Sequence, residues 1–274
     1  MLDAILLFRD ALYGALVIAL VCSALGVYVV LRRIVFVGAS LAQMSTLGIA
    51  ASFWLAGVGI GGAVTSNPVI LSLLATLLGV VFFSTGMKRA RVPADARIGV
   101  AYVVAGALAI LFIAKAAAGE AHDIFLQGNI LGITRADWLV LLAVSVPVLL
   151  LHVVFYKEFL FISFDQETAR TLGYRVERWT LLLYLTIGLS IAFAMQFAGL
   201  MLVFNFLVLP AVTGLLLARG MSGVFSWAIG TGLAAAVIGF SLSIPFDLPT
   251  GPTIVAVSGL LVILAWMVQR VRER

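Results

Sequence analysis

The chain has 274 residues, of which 64% are hydrophobic and only 11% charged, with a mean hydropathy of +1.21 and a formal net charge of +5. Soluble domains are roughly half apolar and about a quarter charged, so this composition excludes a water-soluble globule, and the apolar content excludes disorder. The sequence belongs in a bilayer; its single cysteine, Cys22, excludes disulfides and cysteine metal clusters within the chain.

A spanning helix needs about 20 mainly apolar residues. Charged, glycine-rich and proline-containing breaks mark off nine such stretches, at 11–31, 35–56, 68–86, 97–115, 138–156, 179–196, 197–218, 224–244 and 252–268. The fold class is therefore an all-α polytopic bundle forming a single transmembrane domain. Almost nothing polar separates the sixth stretch from the seventh. Asn67 before Pro68, and Thr250 before Gly251 and Pro252, place capping side chains beside helix-opening prolines. The first stretch is too long for a cleaved leader, and Asp3 and Asp10 beside Arg9 give no positive start.

With nine crossings, the 17 Lys and Arg residues divide unevenly: Arg9, Lys115 and Arg135 fall on one side and the other fourteen opposite. The positive-inside rule makes the crowded side cytoplasmic, with the N-terminus outside and the C-terminus inside. The positive charge is thereby explained by interface anchoring, without nucleic acid as a partner.

Ion-coupled carriers and intramembrane hydrolases place titratable groups within their spans. Here Asp95, Asp137, Asp247, Lys115 and His152 all fall at or near span ends. The polar groups inside are amides and hydroxyls: Ser40, Gln43, Ser45 and Thr46 in the second stretch, Gln196 at the join of the sixth and seventh, and Asn205 and Thr213 in the seventh. Gln43 lies ten residues past Arg33, about 15 Å along a helix and so near the midplane. Pro210 frees the carbonyl of Phe206, next to Asn205. Two readings stand for Gln43, Thr46, Gln196 and Asn205: interhelical hydrogen bonding, or the lining of a substrate path. Glycine and alanine are frequent in the second, fourth and eighth stretches, which fits close helix packing.

Residues 157–178, KEFLFISFDQETARTLGYRVER, are the longest polar segment. Ser163 with Gln166 matches a capping box and Gly173 a left-handed stop, predicting a short helix over 164–172 with Asp165, Glu167 and Arg170 on one side and Phe164 on another. Its acidic residues disfavour anionic lipid, so docking on a cytoplasmic protein is the better expectation.

At this point four runs carry a resemblance: ISFDQETARTLG at 162–173, DLPTGPTIV at 247–255, IFLQGNILGITRADW at 124–138 and LVLPA at 207–211. Together they are similar to the membrane permeases of zinc- and manganese-type ABC importers, and the likeness runs in order along nearly the whole chain. The resemblance implies a bacterial inner-membrane homodimer fed by an external substrate-binding protein. It also implies that the helix carrying Ser163, Phe164, Asp165, Glu167, Arg170 and Gly173 seats in a cytoplasmic ATPase. No Walker pattern occurs in the sequence, so ATP and Mg belong to that partner, and no cofactor is expected in this chain.

The sequence departs from the family at the second stretch. Such permeases commonly carry a GDALSHA-like pattern whose aspartate and histidine face the ion path; here the text is GASLAQM, with Ala39 and Gln43 in their places. Alanine offers no ligand and glutamine only a neutral oxygen. Three readings follow: transient passage past Gln43, Asn205 and backbone carbonyls, a different cargo such as a chelate or neutral solute, or a permease that has lost transport. His122 and Asp123, near Glu120, are weak metal candidates in an outer loop. Met44, Met195 and Met201 are read as core fillers. A stand-alone carrier of a small neutral solute is the alternative from another class.

Overall fold

A computed structural model describes residues 8–60, 62, 67–85, 94–116 and 130–272, the side chains of residues 85, 94 and 95 excepted. His122, Asp123 and Glu120 lie outside the described residues.

The described chain is helical. In order come α1 (Arg9–Leu31), α2 (Val35–Gly57), α3 (Pro68–Thr85), α4 (Ala94–Lys115), a 3-10 turn (Ile130–Gly132), α5 (Arg135–Val154), α6 (Tyr156–Phe164), α7 (Gln166–Thr171), α8 (Val176–Leu217), α9 (Met221–Ser243) and α10 (Thr250–Arg272). Seven of these helices are long and apolar enough to cross a membrane, and 68–84 is a shorter apolar helix. Asn67 caps α3 as expected, its Oδ1 accepting from the Val69 N–H at 3.0 Å. Thr250 does not cap: α10 starts at Thr250 itself, whose hydroxyl pairs with Ser243 at 3.1 Å. α5 begins three residues before the expected Trp138. Thr134 and Asp137 form a reciprocal capping box there, the Thr134 N–H reaching Asp137 Oδ2 at 2.9 Å.

The 42 residues of α8 would measure about 63 Å if straight, twice the hydrocarbon thickness of a bilayer. They are not straight. Gly199 has φ 71° and ψ 168°, a conformation that only glycine adopts without strain. A Cβ on Gly188 would lie 3.9 Å from Leu41 Cδ1, while one on Gly38 would lie 3.4 Å from Leu207 Cδ1. Gly38 and Leu41 share one turn of α2, whereas positions 188 and 207 would stand about 28 Å apart on a straight helix. The chain therefore turns back at Gly199, close to the predicted boundary between 196 and 197.

The two halves of α8 form the centre of the bundle, and their buried faces join α1, α2 and α10 in one large core that contains Leu25, Leu41, Ile187, Phe206 and Ile254. One end of the bundle gathers Arg32, whose Nη2 donates to Thr180 Oγ1 at 3.0 Å, and Arg272, whose Nη1 donates to the Leu217 carbonyl at 3.1 Å. At the opposite end Trp138 Nε1 donates to Asp10 Oδ1 at 3.1 Å, and Ile133 packs on Gly14. Arg32, expected as an interfacial anchor, is partly buried at this end, with its guanidinium 5.8 Å from the Tyr184 ring centre.

Candidate functional site: an apolar cavity and a protruding helix

α2, α4, the second half of α8 and α10 enclose a cavity of about 630 Å³. Its wall includes Ala39, one turn into α2, with Gly99 and Tyr102 of α4, Asn205 of α8 and Val255 of α10. Among its described lining residues only Tyr102 and Asn205 carry a side-chain oxygen, and none is a carboxylate, imidazole or thiol. Phe36, Val103 and Met201 leave the cavity open along one exposed flank.

Asn205 is the most constrained polar group in this wall. It is 2% exposed, its Nδ2 donates to Ser258 Oγ at 3.1 Å, and Ser258 in turn donates to the Ile254 carbonyl at 3.0 Å. The amide oxygen has no hydrogen-bond partner among the described residues. A buried acceptor left in that state costs about 1–3 kcal/mol. Gln43 sits one turn beyond Ala39, buried, with its amide against α4 where a Cβ on Gly106 would lie 3.5 Å from Gln43 Cδ.

The other predicted path residues each make a hydrogen bond within their own helices. Thr46 Oγ1 donates to the Ala42 carbonyl at 3.1 Å, and Gln196 Nε2 to the Ala192 carbonyl at 3.3 Å. The structure thus places Asn205 at the cavity and Gln43 just beyond its Ala39 wall, while Gln196 and Thr46 do not line it. Sequence reading missed Tyr102 and Ser258. Tyr102 was hidden in an apolar run; Ser258 was an ordinary span serine until the fold brought it to Asn205, 53 positions away. Among the described residues no group of three or more His, Cys, Asp or Glu could hold a metal ion.

The protruding segment differs from its predicted start. Ser163 does not cap: it lies inside α6 and donates to the Phe159 carbonyl at 2.6 Å. The cap of α7 is Asp165, whose Oδ1 accepts from the Glu167 and Thr168 N–H groups at 3.0 and 2.9 Å and whose Oδ2 accepts from the Thr168 hydroxyl. These bonds, the Thr168 hydroxyl first, hold the exposed Asp165 carboxyl below the usual aspartate range. Gly173, at φ 86°, ends the helix as expected. Arg170 pairs with Glu177 at 3.3 Å, tying the helix to the start of α8, while Ala169 is buried beneath it. Phe164 (61% exposed) and Leu172 (66% exposed) stand free at its two ends. Beside them residues 172–175 with Arg178, Trp179 and Leu182 line an open groove of about 500 Å³.

Residues 4–269 match the ABC 3 transport family. The chain belongs to that family. Among its relatives, the manganese transport system membrane protein MntC of Halalkalibacterium halodurans is 28% identical over 260 residues, covering 94% of this chain and 86% of the relative. The manganese import system permease protein ScaB of Streptococcus gordonii is 29% identical over 262 residues, covering 95% and 90%. The solved structure of PsaBC from Streptococcus pneumoniae in complex with Fab superposes with a TM-score of 0.84 at 26% identity, over 97% of this chain and 94% of that one. An inward-facing ABC transporter described as metal-chelate type shares the fold, with a TM-score of 0.74 at 12% identity over 94% of this chain and 84% of that one. The chain is thus a permease-type member of the ABC 3 transport family, as the sequence motifs implied.

Proposed function

We propose that this chain is the membrane permease of an ABC importer that carries a divalent transition metal, of manganese or zinc type, or its complex across the bacterial inner membrane. The carrying observation is the family match over residues 4–269, with relatives of nearly equal length named for manganese transport. The reading takes nine crossings, the two halves of α8 counting separately, with the N-terminus outside and the end that carries Arg32, α7 and Arg272 in the cytoplasm. The lysine and arginine bias supports that orientation. Two copies would bring their open cavity flanks together, an external binding protein would deliver the cargo, and lipid would cover the remaining apolar surface.

The chain supplies conduit and lever. Asp165 stiffens α7 and leaves Phe164, Glu167 and Leu172 free to enter a groove on a separate cytoplasmic ATPase, which binds ATP and Mg. Closure of two such ATPases moves the α7 of each copy, and Ala169 and the Arg170–Glu177 pair pass that motion into α8, whose second half carries Asn205. The cavity then faces each side in turn.

Reconstitution of the chain with its ATPase in liposomes tests this reading. Uptake of Mn²⁺ or Zn²⁺ that needs ATP and the ATPase supports it. Transport of any solute by the lone chain without ATP overturns it in favour of a secondary carrier.

A further inference from the structure

The cavity between α2, α4, α8 and α10 is ill suited to a bare ion. Its wall offers one buried amide, one phenol and the thioether of Met201, with no ionised group among the described residues. A divalent ion stripped of water at such a place meets a desolvation cost that two neutral oxygens do not offset. Yet the wall is not inert. Asn205, a lining residue, keeps an amide oxygen with no partner among the described residues and no exposed surface in this conformation, while its Nδ2 is held by Ser258. A cargo that brings a donor satisfies this acceptor once the α8 wall moves in transport.

We propose that the cargo passes this level still wearing its own ligands, as a metal complex whose O–H or N–H group donates to the amide oxygen of Asn205. The contact is to the complex's outer ligands, and the metal takes no bond from the protein there. This rests on the permease reading and adds the form of the substrate. Two sources share that chemistry: the water of an aquo ion, and a small organic chelator.

The test uses the full importer, the chain with its ATPase and binding protein, in liposomes loaded with ATP. Uptake of radioactive Mn²⁺ is measured as the chloride and again with excess citrate. Asn205→Leu lowers uptake of at least one form about tenfold, the order of one lost hydrogen bond to a desolvated group, while still co-purifying with the ATPase. Gly230→Ala, outside this wall and with nothing within 4 Å of the added Cβ, stays within about twofold. Asn205→Asp places a carboxylate in the wall, so the purified importer now retains Mn²⁺ through dialysis and releases it slowly. The form sensitive to Asn205→Leu tells whether water or chelator supplies the donor. Unchanged uptake of both forms in Asn205→Leu overturns the proposal. So does a parent protein that holds dialysis-resistant Mn²⁺ lost on that substitution, since this means direct ligation. Failure of the parent to take up any metal with ATP is a separate failure, that of the permease reading itself.

Discussion

Gly26 of α1 lies so close to the carbonyl of Leu207 that a Cβ built on it would overlap the oxygen and stand 2.8 Å from the carbonyl carbon. The neighbour is backbone, so no side-chain rotation can make room. This contact seats α1 against the second half of α8, the segment that also carries Asn205. Gly26→Ala is expected to destabilise the protein by about 1–3 kcal/mol, the usual cost of overpacking, and to lower its melting temperature in detergent. Gly230→Ala, where nothing lies within 4 Å, is the matched control and is expected to be neutral or slightly stabilising. Equal melting of the two variants would mean that the α1–α8 approach is looser than described.

Arg32 makes a different prediction. Its Nη2 bonds Thr180, but Nε and Nη1 are buried with no partner among the described residues. A buried cation so incompletely satisfied adds little net stability, whereas its aliphatic stem fills space beside Tyr184. Arg32→Met is therefore expected to melt close to the parent and Arg32→Ala well below it. A large loss in Arg32→Met would show that the charge itself holds the helix ends together.

How much of this was legible beforehand depends on range. The apolar runs predicted the helices, and Gly173 predicted the stop of α7, because a positive φ singles out that residue type; the reversal at Gly199 lies within three residues of the expected boundary at 196 and 197, but that glycine was not recognised as its cause. The start of α7 was misplaced by two residues. Ser163 and Asp165 are both good caps, and the choice fell to Asp165 because the apolar face of α6, with Phe159 and Ile162 buried, carries that helix through Ser163. Gln196 and Thr46 are polar groups within apolar runs, and each bonds a carbonyl one turn back in its own helix, a partner that local spacing always offers. The Asn205–Ser258 bond and the burial of Arg32 depend on contacts between distant helices, which no local pattern encodes.

The cap of α7 can be separated from its charge. Asp165→Asn keeps an oxygen for the Glu167 and Thr168 N–H groups, whereas Asp165→Ala removes it. Amide exchange at Glu167 and Thr168 is expected to rise in the alanine variant and stay near the parent in the asparagine variant, with co-purifying ATPase following the same order. Similar loss in both variants would assign the role to the carboxylate charge.

The same carboxyl sets a pH dependence. Its acidity in the folded chain is raised by the Thr168 hydroxyl and N–H and by the Glu167 N–H. A group whose pKa is depressed on folding contributes stability that is present above its unfolded value, roughly 3.9, and fades as pH falls through the lower folded value. Protection of the Glu167 and Thr168 amides, corrected for intrinsic exchange, is therefore expected to be flat from neutral pH down to the ordinary aspartate range and to fall from there as pH drops toward the lower folded value. Loss of protection near pH 6 would point to another titrating group at α7.

Ala39 and Gln43 stand four residues apart on the face of α2 turned to α4, the first in the cavity wall and the second against Gly106. That spacing brings two side chains to one place on a helix, and an aspartate with a histidine there would form a mixed oxygen and nitrogen site for one divalent ion. The present pair offers only a neutral amide. The double variant Ala39→Asp, Gln43→His is expected to bind Zn²⁺ or Mn²⁺ in the purified full chain, while each single variant and the parent bind at least about tenfold more weakly, since one ligand alone leaves most of the ion's shell to water. Calorimetry reads the affinity directly. Transport by the double variant is expected to slow as binding tightens, because conduction needs release as well as capture. Absence of binding in the double variant would show that the two side chains diverge, and that the face joining Ala39, Gln43 and Asn205 is not a single passage.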